Sequence, residues 1–259
     1  MLAGVLAALL AAACGAGGTA PGGATVEIRI AAAASLRNAV TALTTAYAAS
    51  HPGTTFVVST DSSAALRTQV EQGAPIDVFL SADVKNAQAL ADAGLAAGGP
   101  VPFAANAVAL VVPASNPAGI ATPADLARPG VRVIAAGPEV PITAYADRVV
   151  AALGAQPGYP AGYAASVAGN TVSREDNVAA VLAKVELGEG DAGFVYATDA
   201  AASGKVTSVP IPETANVRAE YAGVVVAASR HRDAATAFLA WVAGTDGQSV
   251  LRPFGFLAP

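Results

Sequence analysis

The sequence predicts an α/β protein of two lobes, each a mostly parallel sheet flanked by helices. Three observations carry this. Short apolar runs with strand patterning alternate with helix-length amphipathic segments, which implies parallel strands joined by right-handed crossovers. The chain has 259 residues, more than a typical single domain holds. Near residue 105 the alternation changes character, and a long apolar run replaces the strand–helix rhythm.

Taken in order, "TVEIRIAAA" (25–33) alternates and then turns wholly apolar, as a strand entering a buried sheet does. Ser35–Ser50 has helical periodicity and stops at "HPG". "TTFVVST" is a second strand, and "SSAALRTQVEQG" a helix that opens on serine and closes on glycine. "IDVFLSA" and "DVKNAQALADAG" repeat the pair, with Asp83 expected to cap its helix. The long run "ANAVALVVPASNP" (105–117) leaves the first lobe. "ADLARPG" reads as a short helix, "VRVIAAG" as a strand and "ITAYADRVVAALG" as a helix. "SREDNV" opens a helix with no strand expected before it, "AGFVYATDA" is a buried strand, and "EYAGVVVAA" returns to the first lobe. A helical hairpin, 232–255, closes the chain, with Trp241 read as core packing. The expected division is 25–105 with 218–259 for lobe 1 and 106–217 for lobe 2.

Hydrophobic residues make up 54% and charged residues 13% of the chain, which describes a large core and excludes a disordered protein. The net charge of −5 argues against nucleic acid as a partner, because binding a phosphate backbone needs a basic surface. A single locally positive cleft for a small anion is compatible with that charge.

Residues 1–13 are apolar and uncharged and end at Cys14, the only cysteine. The run is shorter than the roughly 20 residues a membrane span needs and fits the apolar region of a secretory signal. A lone cysteine directly after it resembles a bacterial lipoprotein cleavage site. Residues 1–14 are therefore expected to form a lipoprotein signal, Cys14 to carry lipid, and the Gly-rich 15–24 to act as a tether. That places the protein on the outer face of the cell membrane.

Few residues could support catalysis. The two histidines, His51 and His231, sit in surface-like contexts, and no GxSxG elbow accompanies them. Two remote histidines and one tether cysteine cannot assemble a zinc site, so no bare-cation site and no cofactor are expected. No phosphate-binding glycine loop follows a strand. A carboxylate-dependent α/β enzyme is the alternative from that class.

Small polar residues instead mark a set of helix starts: Ser35 after "IAAAA", Ser62 and Ser63 after "FVVSTD", "GPEVPITAY", and "SREDNV". In open parallel sheets ligands bind outside the carboxyl ends of the strands. Each helix N-terminus there offers unpaired N–H groups and about half a positive charge. Several such termini facing one cleft can hold a dianion without Lys or Arg. Ser35 has two readings on pattern alone, an N-cap or a donor to such an anion.

"AAASLRNA", "SSAALRTQVEQGAPIDVFLSAD", "GPEVP", "REDNVAAVLAKVELGEGDAGFVYATDA" and the closing "FGF" resemble the periplasmic molybdate-binding proteins of ABC transporters. The resemblance runs from about Thr25 to the C-terminus. It implies the type II periplasmic-binding fold, two α/β lobes joined by crossing strands with an oxyanion between them. It also implies capture of molybdate, and of tungstate, for delivery to an ABC permease, by a monomer without catalytic activity. Its ligand contacts fall on Ser35, Ser63, Ile142, Val178 and Tyr196. Ser35 would give hydroxyl and backbone N–H, Ile142 and Val178 backbone N–H groups, and Tyr196 its phenol. "EDNV" departs from the family's spacing, so Asn177 is the alternative to Val178. "PITAY" replaces a frequent glycine near Ile142. The same fold serving sulfate is the alternative ligand reading.

Overall fold

The computed structural model describes residues 25–259; Cys14, the apolar run before it and most of the tether lie outside the described residues. The elements in order are β1 (Val26–Ala33), a 3-10 turn (Ala34–Leu36), α1 (Arg37–Ser50), β2 (Thr54–Asp61), α2 (Ser63–Glu71), β3 (Val78–Ser81) and α3 (Val84–Asp92). The long strand β4 (Val101–Pro113) leads through a 3-10 turn (Pro123–Ala127) to β5 (Val133–Ala136), α4 (Pro141–Gly154), α5 (Tyr163–Gly169), β6 (Thr171–Glu175) and α6 (Val178–Glu186). Then come β7 (Ala192–Tyr196), α7 (Ala197–Ala202), β8 (Val206–Val209), β9 (Arg218–Val225), α8 (Arg232–Ala243) and α9 (Thr245–Leu251).

The strands lie in the order β2-β1-β3-β9-β4-β7-β5-β6, with β8 also pairing β4. β1 runs parallel to both β2 and β3, and β5 runs parallel to both β6 and β7. Between these parallel groups stand β9 and β4, antiparallel to each other and to their outer neighbours. β4 changes partner within its length. Val101–Ala107 pairs with β9, whereas Val108–Pro113 pairs with β7 and β8. Asn216, just ahead of β9, clips that changeover, accepting from Val108 N–H at 3.3 Å and donating to its carbonyl at 3.0 Å.

Packing follows the sequence periods. Leu36 of the turn before α1, and Val40, Leu43 and Tyr47 on one face of α1, are buried against β1 and the terminal hairpin. Tyr47 meets Phe238 and Trp241 edge-on at 5.1 and 5.3 Å, which gives Trp241 the packing role expected of it. Each such fully buried aliphatic side chain contributes about 1.5–3 kcal/mol. Gly223 of β9 lets α8 lie close. A Cβ there would come within 2.7 Å of Leu239 and 2.9 Å of Leu80, and Ala in its place would force the helix outward.

Two expectations need correction. A strand, β6, does precede "DNV". It is an edge strand of five residues with every other side chain exposed, so it lacks the apolar run that marks a central strand. The strand of "AGFVYATDA" ends at Tyr196 and the rest winds into α7. Asp199 causes the break locally, because its carboxylate accepts the Tyr196 N–H at 3.3 Å.

Candidate functional site

The parallel strands of each group carry their loops to one end. β1, β2 and β3 deliver Ser35, the Asp61–Ser63 corner and Asp83; β5, β6 and β7 deliver the Gly137–Ile142 corner, Asn177–Val178 and Tyr196. The two ends meet. Asn177 Nδ2 donates to Asp61 Oδ1 at 3.0 Å, and α6 packs against the turn that holds Ser35.

Ser35 is not a helix cap. A 3-10 turn intervenes, and the residue ahead of α1 is Leu36, which makes no side-chain cap. The Ser35 hydroxyl is buried and lies 2.9 Å from the Tyr221 phenol of β9. Behind them Asn106 of β4 is oriented by the Ala107 N–H, which its Oδ1 accepts at 3.0 Å. Its Nδ2 therefore donates to Thr198 Oγ1 at 2.8 Å, with Tyr221 Oη at 3.5 Å.

The two serines of α2 divide the work. Ser62 is the cap, its Oγ accepting from Ala65 N–H at 3.2 Å. Ser63 Oγ accepts the Ala82 N–H at 3.0 Å, which leaves its hydroxyl proton for another acceptor. Asp83 caps α3 through Asn86 N–H at 2.8 Å and is also held by Ser81, as its position in the sequence implied.

In the other half, Ile142 is the second residue of α4, behind Pro141, with its side chain buried. Its N–H is among the first four, which no intrahelical carbonyl can satisfy. Val178 opens α6 in the same way. Asn177 is its N-cap, with Oδ1 accepting Ala180 N–H at 3.0 Å, which uses the side chain and leaves the backbone N–H of either residue as a candidate donor.

Tyr196 ends β7 with 1% exposure, and its phenol has no hydrogen-bond partner. Its ring stands 5.5 Å from that of Tyr221 and 6.3 Å from that of Tyr145, both edge-on. Burial pushes the phenol well above its ordinary pKa, so it is a donor at neutral pH. An unpaired buried hydroxyl costs about 1–3 kcal/mol. Among the described residues only Arg67 Nε, 3.5 Å from Glu71, shares that lack of a hydrogen bond.

Asp199 is the residue that the sequence reading missed. Burial raises its carboxyl from 3.8 to about 7, against the lowering effect of the Tyr196 N–H. The Tyr-x-x-Asp spacing at a strand end was its signal. No cluster of three or more His, Cys, Asp or Glu suited to a metal ion occurs among the described residues. Hydroxyl and amide donors thus stand at the meeting ends of both halves, although the cavity beside Ser35 is lined by Thr198, Asp199 and Phe254 and the one beside Ile142 by Thr143, Val167 and Phe194.

The sequence pattern of the bacterial extracellular solute-binding protein family matches residues 28–257. The molybdate-binding protein ModA of Mycobacterium tuberculosis is 38% identical over 265 residues, 99% of this chain and 97% of that protein. The Azotobacter vinelandii periplasmic molybdate-binding protein has the same fold, with a TM-score of 0.73 at 23% identity over 90% of this chain and 99% of that one. The sulfate-binding protein SubI of M. tuberculosis aligns with a TM-score of 0.77 at 26% identity, covering 89% of this chain and 86% of that one. Its sequence over almost its whole length, and the two parallel groups joined by β4 and β9, make this chain a member of the bacterial extracellular solute-binding protein family.

Proposed function

We propose that this protein captures molybdate, and tungstate equally well in kind, outside the cytoplasm and passes it to an ABC permease without chemical change. The observation that carries the reading is the Tyr196 phenol, a buried donor with no partner. A fold retains such a group when an acceptor completes it. The hydroxyls of Ser35 and Ser63, the Tyr196 phenol and the N–H groups of Ile142 and Val178 are all donors, which suits a fully deprotonated tetrahedral dianion. The 38% identical relative named as a molybdate-binding protein favours molybdate among such anions.

The energetics are adequate. Hydrogen bonds to a charged group are worth about 1.5–3 kcal/mol each, and micromolar binding needs only about 8 kcal/mol. Five such contacts give about 7.5–15 kcal/mol, which reaches micromolar binding near the low end and leaves room for desolvation above it. In this reading 25–105 with 218–259 forms one lobe, 106–217 the other, and a single chain suffices. Cys14 tethers the protein to the membrane by lipid.

Sulfate is the second reading. It too lacks a proton, and the likeness to a sulfate-binding protein favours it. A thermal-shift panel separates them. Molybdate and tungstate should raise Tm by several degrees at micromolar concentration, with sulfate needing far more. Sulfate acting at the lowest concentration would replace the molybdate reading, and no response to any oxyanion would remove both.

A further inference from the structure

We propose that Asp61 and Asn177 form a cross-cleft clasp that holds the two halves together over the bound solute and slows its release, an inference that rests on the binding role proposed above. Among the described residues, the Asn177 Nδ2 to Asp61 Oδ1 bond of 3.0 Å is the one hydrogen bond that directly joins residues 25–100 to residues 108–217. No ion pair joins those two segments among the described residues. The other links between the halves reach β9: the ladder it shares with β4, the Asn106 Nδ2 contact with Tyr221 Oη at 3.5 Å, and the Tyr145 hydroxyl of α4, which donates to the Glu220 carbonyl at 3.4 Å and accepts its N–H at 3.3 Å.

The polarity of the pair is fixed from both sides. Asn177 Oδ1 is occupied by the Ala180 N–H at the start of α6, so Nδ2 must be the end that faces Asp61. Asp61 Oδ1 also accepts the Ser62 N–H at 2.7 Å, which fixes the carboxylate at the start of α2. The clasp thus ties together two helix starts. One carries Ser63, two residues beyond Asp61, and the other carries Val178, next to Asn177.

A carboxylate beside a dianion site would be selected against on charge alone. The groove at this rim already holds Glu139, Glu175 and Asp176 along with Arg67 and Arg174, so Asp61 is not needed to balance a positive excess. Its two N–H donors explain its presence instead. They orient the carboxylate along the rim and convert it into the acceptor that closes the halves.

The two explanations, clasp and charge, predict opposite signs. Asp61→Ala removes a negative charge, so repulsion alone would give tighter binding, whereas loss of the clasp gives faster release. Asn177→Ser keeps a helix cap and the net charge but cannot reach Asp61. We expect each variant to release molybdate about tenfold faster in a stopped-flow chase. The double variant should be no faster than either single one, because both remove the same bond. The same four proteins are melted without solute to read coupling between the two positions. Tighter binding by Asp61→Ala overturns the clasp, as do additive effects in both release and melting. If the wild type binds no molybdate, the proposed function fails, and the melting cycle alone then decides: coupling keeps the clasp, additivity removes it.

Discussion

Ser35 Oγ and Tyr221 Oη lie 2.9 Å apart although 186 residues separate them in sequence. The contact joins the end of β1 to the returning strand β9, so a residue of the candidate site is oriented by the crossing strands themselves. Ser35→Ala should weaken molybdate binding by about 1.5–3 kcal/mol, the worth of a donor to a charged oxygen. Tyr221→Phe removes the orienting bond, along with the longer contact to Asn106, but no candidate donor, and should cost about 0.5–1.5 kcal/mol. Calorimetry on both variants checks this. Unchanged affinity in Ser35→Ala would make the hydroxyl purely structural.

Tyr196→Phe should have opposite effects on stability and binding. The variant loses a buried hydroxyl without a partner, so the solute-free protein should melt at the same temperature or higher. Affinity should fall by about 1.5–3 kcal/mol. The order of melting temperatures should therefore reverse between solute-free and molybdate-saturated samples. A lower solute-free Tm in the variant would show that the phenol already has a partner.

Asp199 should make stability fall as pH rises from about 4 to about 7. Burial lifts its carboxyl from 3.8 to about 7. Below 3.8 both folded and unfolded chains hold the proton, and no stability is lost. Above it the unfolded chain releases the proton while the folded chain retains it, so folding is progressively disfavoured until the folded group also ionises. Asp125 acts in the other direction, since the Thr122 N–H lowers its pKa, but it is common to both proteins compared. The difference in Tm between Asp199→Asn and wild type should grow across this window and level off above pH 7. A flat difference curve refutes the shifted group.

Phosphate should fail to displace molybdate at comparable concentration at pH 7.5. It keeps at least one proton there, and the candidate contacts are donors, so that proton meets an N–H or stays unpaired at a cost of about 1–3 kcal/mol. Asp61 is the nearby acceptor, and its Oδ1 already takes two N–H groups. Effective competition by phosphate would mean that the Asp61 carboxylate does reach the solute.

Cys14→Ala should move the protein from the membrane fraction to the soluble fraction of its host. A single acyl chain holds only marginally, and stable anchoring takes two signals. Unchanged fractionation would leave the apolar run of 1–13 as an ordinary secretory signal.

Strand and helix identities were legible where one period ruled a segment, as in β1, α1 and α6. They were not legible where exposure removed the period. β6 is an edge strand whose Val172 faces solvent, and α7 begins only because Asp199 takes the Tyr196 N–H. Within the candidate site, the resemblance supplied the candidate donors, but their partners could not be read from the chain. The sequence pattern offered Ser35 as a cap or as an anion donor, and only the fold brings Tyr221 to it. Ser62 and Ser63 are equivalent on paper and are distinguished by Ala82, which comes from the next strand.

The passage of β4 from one set of partners to the other has a mechanical consequence. Where it leaves β9, at Ala107 opposite Arg218, the halves are joined by two hydrogen-bonded strands side by side. A paired ribbon of this kind bends and twists readily, but it resists stretching and sliding in its own plane, because either motion would break its ladder. Such a ribbon leaves bending and twisting open to the halves while holding their separation and register fixed. Hydrogen bonds weaken steeply once their geometry fails. In the proposed function, a fixed register would let donors from the two halves meet one small ion with the alignment that such bonds require.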